Sequence, residues 1–192
     1  MANYLPRAEA ARMLMDQVGD ELLVCGLGSP VSDVSSVKDR DLNFYLIGAM
    51  GSAAPTGLGL ALAQPDRAVV VVTGDGELMM NVSILATIGV KQPRNLSVFV
   101  FDNERFGETG QQVSHTAHGI DIAGLAAACR FAETMVARQT HDLDAAIART
   151  RAMAGPFLAV IKVDPDRVPM NIPIKDGVLV KGRFRKALLG TY

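Results

Sequence analysis

The sequence predicts an α/β domain with a mainly parallel β-sheet and helices on both faces. Three observations carry this expectation. Short β-rich runs alternate with helical stretches along the chain, as crossover connections between parallel strands require. Residues 69–72 are four valines in succession, a run that suits a strand buried on both faces. The chain has 192 residues and is 49% apolar, which fits one domain with a substantial core.

The elements follow in order. A first helix is expected over 6–18, then strands over 22–25 and 43–47. The stretch 53–63 predicts a helix, with Pro55 in the first turn, where a missing N–H does no harm. Its small residues, Gly57 and Gly59 among them, serve either close approach to a ligand or tight helix–sheet packing. Strand 68–73 leads into a Gly74-Asp75-Gly76 turn and a helix over 78–90. Strand 96–101, helix 122–129, strand 131–136, helix 142–154 and strand 157–163 follow. Residues 165–176 contain Pro165, Pro169 and Pro173. They read as an extended surface segment that either covers the domain itself or reaches a partner. A helix over 180–189 closes the chain.

Bulk composition excludes several classes. Nineteen basic and 20 acidic residues leave a net charge of -1, with no basic block, so nucleic acid is not an expected partner. No run approaches the roughly 18 apolar residues of a membrane span. Residues 1–12 carry charges and do not read as a signal peptide. Cys25 and Cys129 form no paired motif and read as buried thiols of a cytoplasmic protein.

The chemistry concentrates at two strand ends. Gly74-Asp75-Gly76 follows one strand, and Asp102-Asn103 ends the next after 25 intervening residues, 77–101. In parallel sheets ligands bind beyond the carboxyl ends of strands. A carboxylate and an amide oxygen there suit a hard cation such as Mg²⁺. The glycines and the free N–H groups of the following helix suit a diphosphate. Asp75 alone would repel that diphosphate, and a divalent cation between them reverses the sign. Gly-Asp-Gly by itself is also an ordinary turn; the second oxygen ligand is what points to a metal–diphosphate site.

The spacing and its flanks resemble the thiamine diphosphate enzyme family. The segment Asn43-Phe-Tyr-Leu-Ile-Gly-Ala-Met-Gly-Ser, the small-residue helix, 74–81 and 102–110 resemble in particular the sulfopyruvate decarboxylase beta subunits and the phosphonopyruvate decarboxylases. The resemblance implies the diphosphate-binding domain of the thiamine diphosphate-binding fold. It implies Asp75, the Asn103 side chain and the Arg105 carbonyl as Mg²⁺ ligands, and N–H groups of Gly76 and Glu77 as diphosphate donors, with Ser29 sharing that task. Gly48 would accept from the 4′-amino group of the aminopyrimidine, and Met50 would wedge beneath the cofactor. Asp102 replaces the usual first Asn of the pair, Phe106 replaces a frequent Tyr, and Glu77 stands where a small residue is common. The implied activity is decarboxylation of a small 2-oxoacid to CO₂ and an aldehyde, with Arg105 a candidate for the acid tail.

The resemblance also implies a missing half. The family's pyrimidine-binding domain supplies a glutamate that activates the cofactor, and no glutamate here lies in such a segment. All 192 residues then form one diphosphate-binding domain, and a separate alpha-type chain completes a hetero-oligomer. His115 is the candidate for contacting substrate or cofactor, with a structural hydrogen bond as its alternative. His115 and His118 make at most half a zinc site. Alternatives to decarboxylation are a carboligase or lyase on the same cofactor, a 2-oxoacid oxidoreductase subunit, and a non-catalytic cofactor-binding subunit.

Overall fold

The computed structural model describes residues 4–165 and 174–191. Six strands form one parallel sheet: β1 (Leu22–Cys25), β2 (Asn43–Tyr45), β3 (Val69–Gly74), β4 (Leu96–Asp102), β7 (Glu133–Ala137) and β8 (Phe157–Lys162), in the spatial order β2-β1-β3-β4-β8-β7. β5 (Arg105–Phe106) and β6 (Gln112–Val113) form a separate antiparallel hairpin. The central strands β1, β3, β4 and β8 are buried almost throughout, as the unbroken apolar runs require.

Helices cover both faces. α1 (Arg7–Gln17), α2 (Ser29–Val37) and α7 (Thr140–Ala152) pack around Leu14, Val31, Phe99 and Ile147. α3 (Ala53–Ala63), α5 (Ile84–Lys91) and α6 (Ile122–Ala128) pack around Leu58, Leu85, Ile88 and Ile122. α8 (Gly177–Leu189) closes over edge strand β2, with Phe184 edge-on to Phe44 at 5.5 Å. Arg183 adds two 2.9 Å bonds to Asp39.

The sequence expectations need four corrections. First, Gly74-Asp75-Gly76 is not a free turn: Gly74 ends β3, and Asp75 opens the short helix α4 (Asp75–Met80). Second, the helix expected over 78–90 is broken at 81–83, where the Asn81 side-chain amide donates to the Gly51 carbonyl at 3.2 Å. Third, residues 29–37 form α2, an element absent from the expected order. Their serines and valines are weak helix formers, and burial of Pro30, Val31 and Val34 overrides that preference. Fourth, Cys129 is only half-buried, whereas Cys25 is buried. Of the proline-rich segment, 166–173 lies outside the described residues.

The two open glycines of α3 now separate. A Cβ at Gly57 would sit 2.1 Å from Val71 Cγ2, whereas one at Gly59 meets nothing within 4 Å. Gly57 therefore serves helix–sheet contact. Gly57→Ala is expected to destabilise by about 1–3 kcal/mol through overpacking. Gly59→Ala should stabilise by roughly 0.5–1 kcal/mol through helix propensity. Urea midpoints that move in the same direction for both would refute the distinction.

Candidate cofactor site

β1 continues outward to β2 on one side, and the chain then returns to β3 on the other. The crevice at this reversal is the expected ligand position in an open parallel sheet. A cleft opens there, lined by Ser29, Met50, Gly74, Asp75, Asn103 and Phe106 among others. β3 and β4 pair directly, with Gly74 opposite Phe101. That register brings Asp75 and Asn103 to neighbouring strand ends.

Asp75 is 1% exposed. Ser114 donates to its Oδ2, and Thr116 Oγ1 lies 3.1 Å from the same oxygen. Neither hydroxyl contacts Oδ1, and the Gly76 amide also bonds the carboxylate. Burial is the main force lifting the Asp75 carboxyl to about 6, with the negative charge of Asp102 adding to it and the two hydroxyls working against it. Thr116 Oγ1 is also 2.7 Å from Asp102 Oδ1. One hydroxyl carries one hydrogen, so Thr116 serves one carboxylate at a time.

Asn103 Oδ1 accepts from the Arg105 amide at 3.0 Å, an Asx-type turn that leaves it a second lone pair. In the hairpin, Ser114 N–H donates to the Glu104 carbonyl and Gln111 N–H to the Phe106 carbonyl, both at 3.0 Å. Successive carbonyls of an extended strand face opposite ways, so the Arg105 carbonyl between them turns away from β6. A carboxylate, an amide oxygen and a carbonyl are the donor set a hard cation prefers. Among the described residues no three His, Cys, Asp or Glu cluster as a metal site, and this mixed oxygen set has no need of such a cluster.

A Cβ at Gly74 meets nothing within 4 Å, so open space lies over the strand end where a diphosphate would approach. Gly76 has a different reason to be glycine: its Cβ would fall 2.5 Å from the Phe106 ring. Ser29 is the first residue of α2 and follows Gly28 at φ +91°. Ser29 lines the cleft, whereas Pro30 has no N–H and the Val31 N–H donates to the Gly28 carbonyl at 3.1 Å. The residues present thus fit a Mg²⁺–diphosphate group.

Glu77 lines the cleft beside Gly76 but is buried. It is 4% exposed, and the Thr73 hydroxyl donates to its Oε2 at 2.8 Å. A Cβ at Gly26 would lie 1.8 Å from that oxygen, so glycine there makes room for the carboxylate. Oε1 has no well-aligned hydrogen bond among the described residues. The amides of Ala53, Gly74 and Leu27 nevertheless face the group and favour its anion, while burial outweighs them and pushes it up to about 7.

The other expected residues are placed less centrally. Gly48 is exposed at φ +89° and lies in the turn that leads to Met50. His115 and His118 sit in one exposed 3-10 turn (His115–His118). The His115 ring stands edge-on to Phe106 at 6.0 Å, outside the cleft lining. His141 lies in the first turn of α7, 3.0 Å from Asp142. Sequence reasoning missed Ser114, Thr116 and Lys162. Lys162 Nζ donates to Asp102 at 2.8 Å and to Glu104 at 2.5 Å. A lone lysine ending the apolar strand 157–162 was the one available signal. The Lys162 ammonium offsets the charge of the buried Asp102 carboxylate.

The profile of the thiamine pyrophosphate enzyme C-terminal TPP binding domain matches residues 32–161. The chain is 36% identical over 186 residues to sulfopyruvate decarboxylase subunit beta of Methanothermobacter thermautotrophicus, covering 97% of each chain. It is 38% identical over 158 residues to phosphonopyruvate decarboxylase of Streptomyces viridochromogenes, covering 82% of this chain and 39% of that one. The Rhodococcus jostii RHA1 thiamine diphosphate-dependent 4-hydroxybenzoylformate decarboxylase shares the fold, with a TM-score of 0.71 at 19% identity over 88% of this chain and 34% of that one.

Proposed function

Because the chain belongs to the thiamine pyrophosphate enzymes, through their C-terminal TPP-binding domain, we propose that it is the diphosphate-binding, beta-type subunit of a two-subunit, Mg²⁺-dependent 2-oxoacid decarboxylase. The observation that carries the reading is the end-to-end match to a sulfopyruvate decarboxylase beta subunit. The Asp75–Asn103 pair at the head of the cleft supports it. When bound, the cofactor supplies the electron sink for loss of CO₂.

The chain's own residues hold and orient that group. Asp75, Asn103 and the Arg105 carbonyl ligate Mg²⁺. N–H groups of Gly76 and Glu77, with Ser29, receive the diphosphate. The Gly48 carbonyl and the Met50 side chain grip the aminopyrimidine half. His115, at the rim beside Phe106, is the candidate for contacting substrate. The activating glutamate comes from a separate alpha-type chain, a reading supported by the match to a relative that is itself named a beta subunit and is covered to 97%. The substrate is a small 2-oxoacid with an acidic tail, of the sulfopyruvate or phosphonopyruvate kind. Two free cysteines support a cytoplasmic setting. No helix among the described residues is long and apolar enough to cross a membrane.

The test is reconstitution. Co-expressed with an alpha-type chain encoded nearby, the protein should release CO₂ and an aldehyde from sulfopyruvate or phosphonopyruvate, given cofactor and Mg²⁺. The isolated chain should lack that activity. Full-rate turnover by the isolated chain would refute the split site. A condensed product would favour a carboligase, and a cofactor-loaded complex inactive on all 2-oxoacids would favour a non-catalytic role.

A further inference from the structure

We propose that Lys162 is a positioning residue for the cation site, and that with Tyr4 it clamps the loop 102–105 in the shape that presents Asn103 and the Arg105 carbonyl. The inference rests on the cofactor reading above and adds residues from outside the metal-ligand set.

Strand register creates the clamp. β4 and β8 are parallel neighbours, and Asp102 stands opposite Lys162. Lys162 is buried, and its ammonium reaches both Asp102 and Glu104. The side chain of Glu104 also accepts from the Tyr4 hydroxyl at 3.1 Å. Tyr4 is held there because Leu5 pairs with Val163, with Leu5 N–H donating to the Lys162 carbonyl at 2.9 Å. The N-terminal segment and two strand ends therefore meet on one carboxylate.

The loop needs such a tether. Glu104 has φ +59°, a left-handed conformation that residues with a side chain adopt only when the surroundings impose it. It lies between the two loop ligands. Its amide donates to Asp102 Oδ1 at 3.1 Å, and the next amide donates to Asn103 Oδ1 at 3.0 Å. Asp102, fixed by Lys162, thus anchors the turn that aims Asn103. Partners behind the ligands commonly set metal affinity by 10- to 100-fold.

Charge alone makes the opposite prediction, which renders the proposal testable. Lys162 is a positive group near the cation, and removing it leaves Asp102 and Glu104 as uncompensated anions. Simple Coulomb attraction would then tighten Mg²⁺ binding. Loss of the clamp weakens it.

The experiment measures Mn²⁺ binding to the chain in complex with its alpha-type partner by electron paramagnetic resonance, with thiamine diphosphate present, for wild type, Lys162→Met, Lys162→Arg and Tyr4→Phe. The expected result is about 10- to 100-fold weaker Mn²⁺ binding in Lys162→Met, partial rescue by Lys162→Arg, and a smaller loss in Tyr4→Phe. Hydrogen exchange without metal should quicken at the Glu104 and Arg105 amides while the amides of β3 stay protected. Unchanged or tighter binding in a folded Lys162→Met protein overturns the clamp and leaves the cofactor reading intact. Should Lys162→Met fail to fold, Tyr4→Phe with unchanged binding and unchanged exchange overturns it. Absence of Mn²⁺ binding in wild type overturns both.

Discussion

Asp75→Ala is expected to abolish Mg²⁺-dependent binding of thiamine diphosphate, and Asn103→Ala to weaken it by at least tenfold. Calorimetric titration of cofactor in the presence and absence of Mg²⁺ would read both. Asp75 supplies the one anionic oxygen in the proposed ligand set, so its loss removes both a coordinate bond and the charge balance between metal and protein. The same carboxyl gives the site a pH dependence. Without metal it sits at about 6, and Mg²⁺ binds its deprotonated form. Below about pH 6 proton and metal compete, and apparent Mg²⁺ affinity should fall by about tenfold per pH unit. Wild-type affinity that stays constant between pH 5 and 7.5 would show that no proton on Asp75 competes with the metal in that range.

Glu77→Gln is expected to stabilise the cofactor-free protein at pH 8 by about 3 kcal/mol and to have little effect near pH 4.5. The carboxyl is held at about 7 against an ordinary 4.5. Between those values the folded protein keeps a proton that the unfolded chain has lost. Stability therefore falls as pH rises through this window, and the full cost is present above about pH 7. At roughly 1.4 kcal/mol per pH unit, the gap gives the stated figure as an upper estimate. Glutamine keeps the shape beside Gly26 and cannot ionise, and its amide can use the Thr73 hydroxyl as an acceptor. Urea unfolding of both proteins from pH 5 to 8 checks this. Parallel stability–pH curves would mean that Glu77 is solvated or otherwise compensated when folded. Asp75 contributes its own slope between 3.8 and about 6, so the comparison with wild type, rather than the absolute curve, isolates Glu77.

Much of the fold was legible because its signals are local. Four consecutive valines specify a strand with two buried faces wherever they lie, and the six sheet strands all appeared close to their expected positions. α2 was not legible, because its Ser- and Val-rich sequence is helical only once Pro30, Val31 and Val34 are buried against the sheet. The break between α4 and α5 was hidden for a related reason. Asn81 fits a helix tolerably, and its bond to the Gly51 carbonyl exists only after α3 has been placed.

The candidate site divides in the same way. By itself the sequence determined which residue types stand at which strand ends: Asp75 after β3 and Asn103 after β4, with glycines beside the first. Those are properties of spacing and motif, and they sufficed to point to a metal and a diphosphate, while the flanking segments, 43–52 above all, carried the resemblance to the family. Tertiary structure alone decided what surrounds them. Ser114 reaches Asp75 across 39 positions and Lys162 reaches Asp102 across 60, because strand order and register set those meetings. It also decided that the Glu77 carboxylate is buried, since only the folded chain sets the bare backbone of Gly26 beside it.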